Sequence, residues 1–175
     1  MKYIATLLML VGLAAPVSAA TPAPDASQTT TQSARVGVSG WRLECDPTNT
    51  TALACHVLNS IVQQQNGGLV ISFTFSPAPD GKTLLTMQVP LGVAIRTPIA
   101  VSTAGGPSQN FTFLFCSQQG CYATGALDND LLTAMKAGKG DLRVSYALLD
   151  TNLAEHGITA SLPLAGFADV DARLK

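Results

Sequence analysis

The sequence predicts a mostly β protein, an antiparallel β-sandwich of about eight strands with two short helices and two disulfides. Three observations predict it. Short apolar segments alternate with polar residues at a period of two, and turn residues punctuate them at short intervals. Hydrophobic residues make up 47% of the chain against 12% charged, the balance of a domain that hides a two-sided apolar core. The four cysteines, Cys45, Cys55, Cys116 and Cys121, form an even set, which in an exported chain implies a disulfide framework.

Export is expected from the N-terminus. Lys2 supplies a short positive region, residues 3–15 are apolar and uncharged, Pro16 breaks the run, and Val17-Ser18-Ala19 places small residues where signal peptidase reads them. Residues 1–19 are therefore expected to be a signal peptide. The run falls short of the roughly 20 residues a spanning helix needs, and no later stretch qualifies, so no integral membrane segment is expected in the mature chain. Residues 20–39, rich in Thr, Ser, Gln, Ala and Pro without apolar period, are expected to be a flexible leader. The folded domain is then residues 40–175, long enough for one sizeable core.

Trp41, Leu43 and Cys45 alternate with Arg42 and Glu44, which is strand period. Asp46-Pro47-Thr48-Asn49 reads as a turn, followed by a strand over residues 54–62. After the Asn66-Gly67-Gly68 turn, Leu69, Ile71, Phe73 and Phe75 give the clearest strand of the chain. Asp80-Gly81 signals a hairpin, with a return strand over residues 83–89. A short strand over residues 98–101 and a Gly105-Gly106-Pro107 turn come next. Phe111, Phe113 and Phe115 then alternate as one strand, with all three rings expected in the core. Asp128 is a candidate helix N-cap, Leu131, Leu132 and Met135 sit at helical spacing, and Gly138 is a natural stop. Strands over 142–148 and 158–162 and a terminal amphipathic helix through Phe167, Val170 and Leu174 complete the chain.

Four cysteines allow three pairings. The two sequence-close pairs, Cys45–Cys55 and Cys116–Cys121, are expected, each cross-linking a hairpin or tight loop. Neither pair is a C-x-x-C, which disfavours a thioredoxin-like centre, and ligands at zinc spacing are missing. The formal net charge is −1 with no basic cluster, which disfavours a nucleic-acid partner.

Catalytic chemistry has few carriers. His56 and His156 could each act as a base, but neither sits in a motif. No G-x-S-x-G nucleophile turn occurs. Asp128 and Asp130 are better explained as the acidic start of a helix than as paired catalytic acids or calcium ligands. No catalytic residue, cofactor or metal site is therefore expected. Trp41 and Tyr122 flank the cysteine pairs. Burial beside the bridges is the default for both; a shared exposed binding surface is the alternative.

The order of features resembles the invasion-associated locus B (IalB) family of Gram-negative bacteria. The resemblance rests on Trp41-Arg42-Leu43-Glu44-Cys45 with Cys55, and on Pro79-Asp80-Gly81-Lys82-Thr83 leading to Val89-Pro90-Leu91-Gly92-Val93. It continues through Phe115-Cys116 with Gly120-Cys121, Ala126-Leu127-Asp128-Asn129-Asp130-Leu131-Leu132, and Leu162-Pro163-Leu164-Ala165-Gly166-Phe167. It implies an exported β-sandwich of the periplasm or cell surface, non-enzymatic, meeting an unidentified protein partner of the envelope or of a host surface. It carries over no catalytic residue. The alternative is a periplasmic enzyme or thiol-redox factor.

Overall fold

The structure, a computed structural model, describes residues 36–38, 40–45 and 55–174. The expected signal peptide, most of the leader and the turn at Asp46-Pro47-Thr48-Asn49 lie outside the described residues. Eleven strands and two helices are described, in the order β1 (Val36–Val38), β2 (Arg42–Cys45), β3 (Cys55–Gln63), β4 (Leu69–Pro77), β5 (Thr83–Val89), β6 (Ile99–Thr103), β7 (Ser108–Phe111), β8 (Phe113–Ser117), β9 (Gly120–Ala126), α1 (Asn129–Lys136), β10 (Asp141–Leu149), β11 (Glu155–Pro163) and α2 (Phe167–Asp171).

The strands form two antiparallel sheets. The larger runs β1-β3-β4-β5-β9-β8, with β2 pairing the same edge of β3 that β1 pairs. The smaller runs β11-β10-β6-β7. Val36–Val38, within the stretch expected to be leader, pairs with residues 61–63 and continues the edge that β2 begins.

Alternation sets the inner face. Val57 and Ile61 on β3, Ile71, Phe73 and Phe75 on β4, and Leu85, Met87 and Val89 on β5 are fully buried. Ile99, Val101, Leu142, Val144 and Leu162 face them from the smaller sheet, and Leu131, Met135 and Phe167 join the same core from the helices. On these strands successive side chains point to opposite faces of the sheet, so the buried residues alternate with less buried ones on the outer face. The Tyr146 hydroxyl on β10 donates to the Val70 carbonyl on β4 at 2.9 Å and ties the sheets together. Burial pushes its pKa up to about 12. Asp171 on α2 is buried and meets Lys136 Nζ of α1 at 2.8 Å, which joins the two helices. Among the described residues, no helix is long and apolar enough to cross a membrane.

The three-phenylalanine strand is corrected. Phe111 ends β7 in the smaller sheet, Thr112 crosses over, and Phe113 opens β8 in the larger sheet. A register shift between Phe113 and Phe115 then leaves Leu114 bulged. Phe111 is buried, Phe113 is partly buried, and Phe115 is 53% exposed. A period-two pattern assumes one uninterrupted strand; a sheet switch and a bulge each reset which face a residue meets. The count also rises above eight, because β1, β7 and β9 carry weak apolar signals.

Asp128 does sit at the N-cap of α1, but its side chain makes no capping bond there. Its backbone N–H donates instead to Gln109 Oε1 at 2.9 Å. Gly138 ends the helix with φ +65°, as expected of a C′ residue.

Candidate interaction surface

Both disulfides join directly opposed residues of neighbouring strands: Cys45 of β2 with Cys55 of β3, and Cys116 of β8 with Cys121 of β9. Each therefore fastens an edge strand of the larger sheet to its inner neighbour. Cys45 and Cys116 are exposed, while Cys121 is buried.

Trp41 and Tyr122 are not brought together. Trp41 faces inward at the start of β2, where its ring meets Phe75 and Phe167 edge-on at 5.7 and 4.8 Å. Its Nε1 donates to the Pro163 carbonyl at 2.8 Å. Both its apolar face and its one polar atom are engaged within the fold, so it anchors the scaffold. Tyr122 lies on the outer face of β9, stacked on Phe115 at 4.8 Å between ring centroids. Its hydroxyl contacts Gln119 Oε1 at 3.4 Å.

The two histidines lie on different sheets. His56 on β3 shares a 2.9 Å hydrogen bond with Ser76 Oγ. His156 on β11 donates through Nε2 to Asp150 Oδ2 at 3.0 Å. Asp150 also accepts from the backbone N–H groups of Asn152 and Ala154, at 2.8 and 2.9 Å. Among the described residues no group of three or more His, Cys, Asp or Glu side chains could hold a metal ion.

The His156 hydrogen bond, followed by the two backbone donors, holds the Asp150 carboxyl below the ordinary carboxylate range. A carboxyl whose folded-state pKa is depressed adds stability above its ordinary pKa and loses it as pH falls through the folded-state value. The tip of the β10–β11 hairpin is therefore expected to stay ordered at neutral pH and loosen in strong acid. Backbone amide chemical shifts of Asn152 and Ala154, followed by NMR from neutral pH downward, check this. Shifts that stay flat through the whole carboxylate range would contradict it.

A surface that strand periodicity does not reveal lies at the loops. Leu91 and Ile95, in the connection from β5 to β6, are 55% and 58% exposed, and Leu149 at the end of β10 is 36% exposed. Hydrogen bonds hold the two segments together: Ala94 N–H to the Ala147 carbonyl, Leu149 N–H to the Gly92 carbonyl, and Thr97 Oγ1 to Glu155 Oε2. Ala94, Ile95, Arg96, Leu149 and Glu155 line a shallow pocket of about 180 Å³. Three of these residues are apolar, and Arg96 and Glu155 bring one charge of each sign.

At the hairpin tip Leu153 is 76% exposed and sits in the left-handed region at φ 63°. That conformation costs a β-carbon-bearing residue roughly 1–3 kcal/mol. The surrounding bonds through Asp150, including Leu153 N–H to the Asp150 carbonyl at 3.0 Å, hold it there. Leu91, Ile95 and Leu153 fall in loops and Leu149 is the last residue of β10, where no period marks which side chains stay outside.

Fold and bridges together define a disulfide-bridged antiparallel β-sandwich matured in an oxidising, extracytoplasmic compartment. The Invasion associated locus B (IalB) protein family matches residues 41–175, and the chain belongs to that family. A crystal structure of invasion associated protein b from Bartonella henselae is similar in fold. It aligns at a TM-score of 0.66 and 20% identity, over 77% of this chain and 89% of that one. No curated protein matches the chain.

Proposed function

We propose that the protein is an exported, non-enzymatic interaction protein of the periplasm or cell surface. It presents the loop surface around Ile95 and Leu149 to a protein partner of the envelope or of a host surface. Membership of the invasion-associated locus B family supports including a contribution to host-cell invasion or to envelope function in this reading. The observation that carries the reading is the shallow pocket between the β5–β6 connection and the adjoining ends of β10 and β11, with Leu91 and Ile95 more than half exposed. Large apolar side chains held rigidly in water cost solvation without return unless something covers them. Loops positioned by a stiff sandwich are where such recognition concentrates. A lining that combines Ala94, Ile95 and Leu149 with Arg96 and Glu155 suits an apolar side chain with polar neighbours, the anatomy of a protein contact.

The test is capture from envelope extract by the purified, oxidised protein, compared with Ile95→Lys and Leu149→Lys. Both sites are solvent-exposed, so both variants are expected to fold. Capture of a discrete partner is expected to fall by about tenfold or more in each, as for an interface hot spot. Capture that is equal in all three proteins, or absent with the unmodified one, would overturn the reading.

A further inference from the structure

The loop pocket carries two opposite charges that do not neutralise each other. Arg96 and Glu155 both line it and both are exposed. Among the described residues no ion pair joins them. Glu155 is engaged within the fold, where its Oε2 accepts from Thr97 Oγ1 at 2.9 Å. Asp150, the acid beside Leu149, is engaged as well, by His156 and by the N–H groups of Asn152 and Ala154. The Arg96 guanidinium, by contrast, makes no hydrogen bond or ion pair among the described residues.

Arg96 follows Ile95 directly and lines the same pocket, so a partner that covers Ile95 and Leu149 also draws water from the guanidinium. A charge desolvated without a counter-charge costs more than one apolar contact beside it returns. The partner must therefore bring an acceptor for Arg96. The planar fork of guanidinium N–H donors is matched by the two oxygens of a carboxylate. Arg96 could instead turn to Glu155 and form an internal pair as water leaves, and that arrangement has a different signature when Glu155 loses its charge.

We propose that the pocket receives a partner segment in which a large apolar side chain lies next to a carboxylate. The side chain packs on Ile95 and Leu149, and the carboxylate pairs with Arg96. This names the partner's chemistry at the loop surface and rests on the reading of that surface as a protein contact. Glu155 has the sign of the incoming acid and opposes it, so its carboxylate limits the affinity that Arg96 provides. A segment with a lysine beside its apolar residue sets like charges together at Arg96 and is turned away.

Titration of the oxidised protein with short blocked peptides tests the proposal, each peptide placing one leucine beside a glutamate, a glutamine or a lysine. The Ile95 and Leu149 methyl signals are followed by NMR. The glutamate peptide is expected to bind at least about threefold tighter than the glutamine peptide, with the lysine peptide weakest. Added salt should shrink these differences. Arg96→Gln should remove the preference for glutamate and Glu155→Gln should strengthen it; both sites are exposed, so both variants are expected to fold. Equal affinities for the three peptides, or methyl signals that no peptide moves at millimolar concentration, would overturn the proposal. So would a glutamate preference that Glu155→Gln removes as fully as Arg96→Gln, the signature of the internal pair. The two readings fail separately. Capture from envelope extract that Ile95→Lys weakens and Arg96→Glu does not would leave the protein contact standing and overturn the carboxylate.

Discussion

Phe75→Ala is expected to lower the unfolding free energy by about 4 kcal/mol, in the range for emptying a buried aromatic site. Phe75 is fully buried on β4, with β3 on one side and β5 on the other. Its ring lies 5.2 Å from Phe167 and 5.7 Å from Trp41, each at a steep angle. These edge-to-face pairs add about 0.5–1.5 kcal/mol each beyond area burial. The loss is compounded because Trp41 and Phe167 pack on each other as well, at 4.8 Å, Trp41 from the residue just before β2 and Phe167 from α2, far apart in sequence. One residue thus closes the N-terminal edge strand and the C-terminal helix onto the same core. Urea unfolding followed by tryptophan emission reads the effect directly, since Trp41 is the only tryptophan. The native emission of the variant should also shift to the red as water reaches the Trp41 ring. A loss under about 1.5 kcal/mol, typical of a volume-conserving swap, would mean that the cluster is not the support it is described as.

Where a strand is long and its apolar residues large, period and structure coincide. Ile71, Phe73 and Phe75 are inward as their alternation predicts, and β4, β5 and β10 fall close to their expected bounds, while β11 begins three residues earlier than expected. The cysteine pairs and the helix stop at Gly138 were legible for similarly local reasons. β9 was not, although it is an interior strand, because Gly120, Ala123, Gly125 and Ala126 give it almost no apolar signal. Those small residues are there for close approach. A β-carbon at Gly120, which has φ +141°, would overlap the Val89 carbonyl oxygen, and one at Gly125 would press on the Phe111 ring at 3.2 Å. The absence of a side chain at Gly125 leaves room for the Phe111 ring against β9. The loop pocket was hidden for a different reason. Nothing in the order of residues 90–98 shows that Ile95 stays outside while Val93 and Ala94 are buried against β10.

Removing both disulfides is expected to abolish cooperative folding at physiological temperature, while removing either alone leaves a weakened native state. In the chain-entropy account, closing the 10-residue separation of Cys45 and Cys55 contributes about 3 kcal/mol, and the 5-residue separation of Cys116 and Cys121 about 2 kcal/mol. The bridges sit at opposite edges of the larger sheet, one fastening β2 to β3 and the other β8 to β9. With no shared partners, their contributions should add to about 5 kcal/mol, comparable to the lower end of the 5–15 kcal/mol that holds ordinary domains together. An edge strand has a hydrogen-bonding neighbour on one side only, so it frays first. These covalent links act on two strands that the larger sheet holds on one side only. Alanine is the right replacement at Cys121, which is buried and would leave a serine hydroxyl in apolar surroundings. Urea unfolding of the unmodified protein, Cys45→Ala/Cys55→Ala, Cys116→Ala/Cys121→Ala and the fourfold variant gives the comparison. A fourfold variant that unfolds cooperatively near the unmodified midpoint would show that the sandwich needs no bridges. The link from its fold to an oxidising compartment would then be lost.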